Sequence, residues 1–156
     1  LWGDSLYRLS TTGDPAVRTA ALEALSKLGH VKLNTAFEAA LGAENERLRT
    51  TAFRMLARRS DPESEDLALR FTLNHLESEP PSREMSHLLG RTKDTRAVPL
   101  LLKQLDAGNG NVSELIRLLA EFGGLEVRPA LEAAYPKLDR PAKVQTLAAL
   151  SRMQSP

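Results

Sequence analysis

Gly13-Asp14-Pro15-Ala16-Val17-Arg18 opens a helix whose two ends are both written into the sequence. An aspartate just before a helix accepts hydrogen bonds from N–H groups that the first turn leaves unpaired. Proline at the first helical position loses nothing, since its missing N–H has no intrahelical partner there. The apolar pattern runs on through Leu28 and meets Gly29, a residue able to take the left-handed conformation that closes helices. Residues 15–28 are therefore predicted to form one helix capped by Asp14.

Laid along the rest of the chain, that helix recurs four times. The position of Leu25 is repeated by Leu56, Leu89, Leu119 and Leu150, at steps of 31, 33, 30 and 31 residues. The residue before it is apolar throughout (Ala24, Met55, Leu88, Leu118, Ala149), and the residue after it is small (Ser26, Ala57, Gly90, Ala120, Ser151). Three adjacent columns of this kind mark an internal repeat, the signature of stacked helical units that bury a shared core.

Each of these second helices is preceded by a first helix with apolar residues at i, i+3, i+4 and i+7. The sets are Trp2, Ser5, Leu6, Leu9, then Leu33, Ala36, Phe37, Ala40, then Leu69, Thr72, Leu73, Leu76. Val98, Leu101, Leu102, Leu105 and Val127, Ala130, Leu131, Ala134 complete them. Breaks fall where the pattern needs them. Ser60-Asp61-Pro62 starts the third first helix, Glu79-Pro80-Pro81-Ser82 ends it, and Gly108-Asn109-Gly110-Asn111 separates the fourth pair. No alternating β-branched run flanks Asn109-Gly110, so this pair is a helix–helix turn and not a hairpin. The expectation is an all-α fold of five antiparallel helix pairs in one domain, 1–156. The repeats are placed at 1–29, 30–60, 61–93, 94–123 and 124–156.

The period, the Asp14-Pro15-Ala16-Val17-Arg18 turn and the run Ala97-Val98-Pro99-Leu100-Leu101-Leu102 resemble HEAT repeats, especially the short bacterial kind. The resemblance covers essentially the whole chain and implies a right-handed α-solenoid whose second helices line a concave groove. It is weakest in the third repeat, where Ser86 and Thr92 stand at positions that are apolar in other repeats. The Trp, Gly and Tyr pattern of tetratricopeptide arrays is missing. A shorter likeness links Ala134–Asp139 and Leu147–Arg152 to the helical region of large exported bacterial dehydrogenases, in which propeller and c-type haem domains flank HEAT-like repeats. It implies a structural segment of a larger redox enzyme in an extracytoplasmic setting, with the chemistry outside these residues. The chain opens Leu1-Trp2-Gly3 without an initiator Met and reads as a fragment of a longer protein.

Composition agrees with close-packed helices. Apolar residues make up 42% and charged residues 26%, while aromatics are only 4%. No apolar run approaches membrane-spanning length. The absence of cysteine excludes disulfides and thiolate sites.

Little in the chain carries reactive chemistry. His30 falls in a turn and is expected to be exposed, while His75 and His87 lie on the two helices of the third repeat. Glu84 and His87 have the i, i+3 spacing of di-iron bundles, but that motif is convincing only when it occurs twice with further carboxylates. HEAT-like di-iron hydroxylases carry His-Glu dipeptides, and no histidine here is followed by Glu. The acidic stretch Ser60–Asp66 lacks the glycine and final bidentate Glu of a calcium loop, so its acids read as a cap and first turn. There is no phosphate-cradling glycine loop and no nucleophile elbow. HEAT-like DNA glycosylases need aromatic stacking groups on the groove, and Trp2, Tyr7 and Tyr135 fall elsewhere. No catalytic residue, metal or cofactor is predicted.

Two columns beside the buried stripe of the second helices stand out. They read Glu23, Arg54, His87, Arg117, Ala148 and Lys27, Arg58, Arg91, Glu121, Arg152. Six of the ten are Lys or Arg and two are Glu, within a chain of net charge +1. Arg47, seven residues before Arg54, extends the stripe. Lys27, Arg47, Arg54, Arg58, Arg91, Arg117 and Arg152 are therefore the candidate partner-binding residues, forming a basic ladder suited to a protein surface or an acidic peptide. The competing reading is a solvated face whose arginines make weak local ion pairs. A nucleic acid is disfavoured, since there is no basic run and the pI is about 8.3. Uncapped terminal repeats, at Leu1–Leu9 and in the last helix, are expected to favour self-association.

Overall fold

The computed structural model describes residues 1–153; the last three positions of the predicted fifth repeat, 154–156, lie outside the described residues. The described chain is all-helical, with no strand among its residues. In chain order the helices are α1 (Trp2–Thr12), α2 (Pro15–Leu28), α3 (Leu33–Leu41), α4 (Glu46–Ala57) and α5 (Pro62–Leu76). They continue with α6 (Arg83–Thr92), α7 (Ala97–Ala107), α8 (Val112–Phe122), α9 (Val127–Ala134) and α10 (Arg140–Arg152). A 3₁₀ turn, Tyr135–Lys137, leads from α9 towards α10. The chain divides into two compact units, Leu1–Phe71 and Thr72–Pro156, and the division falls within α5.

Side-chain capping sets the phase of the helices. Asp14 Oδ1 accepts from the N–H groups of Ala16 and Val17 at 2.9 and 3.1 Å, and Gly29 closes α2 at φ +61°. The same device opens every even-numbered helix: Asn45 caps α4, Ser82 α6, Asn111 α8 and Asp139 α10. By contrast α3, α7 and α9 start from a tight turn with no side-chain cap. In each the first helical N–H bonds a carbonyl three residues back, at His30, Asp94 and Gly124. The start of α5 is the predicted one, with Asp61 Oδ1 accepting from Ser64 N–H at 3.0 Å.

In the first unit α1 packs on α2 and α3, and α2 also packs on α4. Leu22, Leu25, Phe37, Leu48 and Leu56 are fully buried at its centre. Arg18, the last residue of the opening motif, ties two helices to this core. Its Nε donates to the Ser10 carbonyl at 2.9 Å and its Nη2 to the Ala39 carbonyl at 3.1 Å, near the C-terminal ends of α1 and α3. Those ends present carbonyls without intrahelical donors, and a guanidinium satisfies two at once. Arg59 does similar work beside the start of α5, reaching Asp61, Ser64 and Ser26. The α1 stripe departs from its prediction. Leu6 and Ser10 are buried, whereas Trp2 and Leu9 are 71% and 43% exposed, so only one flank of α1 is covered.

In the second unit α8 is the central helix, packed on α6, α7, α9 and α10. Leu115, Ile116, Leu118 and Leu119 on α8 are all buried. Gln104 is buried and satisfied, donating to the Leu76 carbonyl at 2.8 Å and accepting from Asn109 at 3.1 Å. Four members of the leucine column, Leu25, Leu56, Leu89 and Leu119, have no exposed surface. The fifth does not follow. Leu150 is half-buried, and Ala142, Thr146 and Ala149 carry the buried face of α10. The side of α10 holding Val144 and Leu147 is open to solvent, so this helix is covered on one flank only.

Two buried hydroxyls in this unit, Thr72 Oγ1 and Ser86 Oγ, have no protein hydrogen-bond partner. A buried hydroxyl without a partner keeps its desolvation penalty. Thr72→Val and Ser86→Ala are each expected to raise stability by about 1 kcal/mol, read as a higher urea midpoint at unchanged slope.

Candidate binding face

All seven candidate residues are exposed. In the first unit Lys27 stands in the last turn of α2, Arg47 and Arg54 lie two turns apart on α4, and Arg58 is the α4 C-cap residue. In the second unit Arg91 is on α6, Arg117 on α8 and Arg152 at the end of α10. Because α8 packs on both α6 and α10, these three belong to adjacent helices.

The small-residue column explains how closely such helices approach. A Cβ on Gly90 would sit 3.1 Å from Glu121 Oε2 and 3.9 Å from Leu118 Cδ1. A side chain on α6 at that place would first meet the flexible end of Glu121 on α8. Lys93 crosses the same junction, with Nζ 3.4 Å from Glu121 Oε2 and 5.7 Å from the Phe122 ring centre.

Arg117 and Arg152 open onto a groove of about 720 Å³ formed by α8, the turn Gly123–Glu126, the start of α9 and α10. The sequence columns missed a third arginine there. Arg128 is half-buried, donating to the Met153 carbonyl at 3.0 Å and to Glu132 at 3.1 Å. It lies on α9, outside the aligned second helices, so no column of theirs could include it. Leu125, 90% exposed, and Ala148 on α10 give the groove an apolar wall.

Charge is less one-sided than the columns imply. Arg117 bonds Glu114 at 2.6 Å and also pairs with Glu121. The hydrogen bond from Arg117 holds the Glu114 carboxyl below the usual carboxylate range, and Glu114 raises the guanidinium's own pKa in return. Arg152 forms no ion pair among the described residues. The cation of the groove without an ion pair among the described residues is therefore Arg152, with Arg117 held by Glu114 and Glu121 and Arg128 by Glu132.

Asp61 and Asp94 are lowered in the same direction, Asp61 by its bond with Ser64 and Asp94 by Arg96. A carboxylate whose folded pKa lies below its unfolded value adds stability above the unfolded value, and that stability vanishes as pH falls through the folded one. The urea midpoint is thus expected to hold steady from neutral pH down to about 5 and to drop below about pH 4. Asp61→Asn should remove part of that acid dependence.

The histidines gather no chemistry. His30, expected to be exposed, is half-buried over Gly3, where a Cβ would fall 2.5 Å from its ring. His75 Nε2 lies 3.0 Å from the Pro80 carbonyl oxygen, and His87 is exposed on α6. Among the described residues no three His, Asp or Glu side chains are placed to share a metal ion. No described helix is long and apolar enough to cross a membrane. Neither a family model nor a curated protein matches the chain.

Proposed function

We propose that this chain is a HEAT-like helical-repeat module, a right-handed solenoid of antiparallel helix pairs, that holds an acidic partner protein and performs no reaction of its own. One observation carries the reading. On α2, α4, α6 and α8 the aligned leucines are buried, and on all five even-numbered helices every lysine and arginine of the flanking columns is exposed. One face of these helices is spent on packing, and the neighbouring face is left to solvent with a surplus of cations. In each unit even-numbered helices pack on one another, α2 on α4 and α6 and α10 on α8, as stacked repeats require.

Exposed arginines of this kind act mainly on association rate and salt dependence. The double reversal Arg54→Glu with Arg58→Glu is expected to abolish salt-sensitive retention on an acidic protein matrix while leaving the melting temperature close to wild type. Retention unchanged by that reversal would sink the proposal.

A further inference from the structure

We propose that the groove between α8, α9 and α10 is the anchor site for an acidic peptide segment carrying one bulky apolar side chain, an inference that rests on the binding role proposed above. Three features of the groove select that occupant. Its volume of about 720 Å³ suits a large side chain with its flanking backbone. Among the described residues its charged lining is Arg117, Arg128 and Arg152 against one carboxylate, Glu121, which Arg117 and Lys93 already hold, while Glu132 beside the lining holds Arg128. Its apolar lining includes Leu125, Ala148 and Met153.

Leu125 is the most informative of these residues. It is 90% exposed, directly after Gly123 and Gly124, which stand at φ +67° and +100°. Residues with side chains rarely adopt these angles, so the turn is built to hold that leucine away from the core. An exposed leucine gains about 25 cal/mol for each Å² that a partner covers. A Phe or Leu side chain lying between Leu125, Ala148 and Met153 would cover it. Met153, flexible and polarisable, adapts to the shape of what enters.

Carboxylates on either side of that anchor reach Arg152 and Arg128. The Arg117 pairs with Glu114 and Glu121 are exposed and worth less than about 1 kcal/mol each, so a ligand carboxylate can exchange with them. No aromatic side chain lines the groove, so a nucleic acid would find nothing on which to stack its bases.

The test is fluorescence anisotropy on the full chain with a labelled decapeptide of Asp and Glu around one central Phe. Replacing that Phe by Ala, or the acids by Lys, is expected to weaken binding at least about ten-fold. Ala148→Phe fills the groove from an exposed position, and Arg152→Glu reverses its free cation. Each should cost a similar factor, with the thermal melt unchanged. Binding lost on the Arg54/Arg58 reversal but untouched by Ala148→Phe would overturn the groove and leave the basic-face reading standing. Binding indifferent to all these variants, or absent at millimolar protein, would overturn both. Affinity independent of the peptide's Phe refutes the apolar anchor. Self-association abolished by Ala148→Phe would make a second copy the occupant and overturn the peptide.

Discussion

Leu119→Asp is expected to abolish cooperative unfolding of residues 72–153, lowering the helical circular dichroism and removing the second unit's share of the thermal transition. Leu119 has no exposed surface, and it sits on the one helix that touches α6, α7, α9 and α10. Removing a buried leucine side chain costs about 2–5 kcal/mol. Placing an unpaired carboxylate in the same space adds several more, partly relieved if the group stays protonated. The sum rivals the whole stability of an ordinary domain, about 5–15 kcal/mol. Leu147→Asp is the matched control, since Leu147 is 54% exposed on the open side of α10. It should move the melt by no more than about 0.5 kcal/mol. Leu150→Asp should fall between the two, because that member of the column is only half-buried. Helical circular dichroism and a melt amplitude unchanged from wild type in Leu119→Asp would mean that the leucine column is not the core seam.

That graded series also marks where the sequence could be read and where it could not. Asp14, Pro15 and Gly29 fix α2 through local backbone chemistry, and local chemistry is visible in local sequence. Leu25, Leu56, Leu89 and Leu119 are legible for another reason, since each is fully buried and stands at the same place in its repeat. Leu150, Trp2 and Leu9 have the residue type of the stripe without a neighbour to cover them, and periodicity alone does not count neighbours. The basic face was legible as a set of exposed positions. Its electrostatics were legible only in the competing reading, since Glu114 and Glu121 hold Arg117 as local i, i+3 and i, i+4 pairs. Arg128 was hidden, as it reaches the groove from α9. Arg18 and Arg59 each bind groups on other helices, and such bonds exist only once the helices have packed.

Gly110→Ala is expected to cost the second unit about 3 kcal/mol, the sum of left-handed backbone strain and overpacking against a neighbouring turn. The turn Gly108–Asn111 between α7 and α8 carries two left-handed glycines, Gly108 at φ +67° and Gly110 at φ +69°. At Gly108 a Cβ would meet nothing within 4 Å, so alanine there pays only for its conformation, about 1 kcal/mol. At Gly110 a Cβ would lie 2.6 Å from Pro80 Cβ and 2.8 Å from Pro80 Cγ. Pro80 belongs to the turn between α5 and α6, and a proline ring has no rotamer by which to withdraw. Relief must then come from moving one of the two turns. Asn109 donates to the buried Gln104, and Asn111 caps α8, so a shift of the Gly110 turn breaks polar contacts as well as packing. Urea unfolding of Gly108→Ala and Gly110→Ala separates the two costs, because the first variant carries the strain alone. Equal midpoints for the two variants would show that the Pro80 contact bears no load. If Gly110→Ala is the weaker by about 2 kcal/mol, Pro80→Gly in that background should recover much of the loss, since it removes both carbons that the new Cβ would meet.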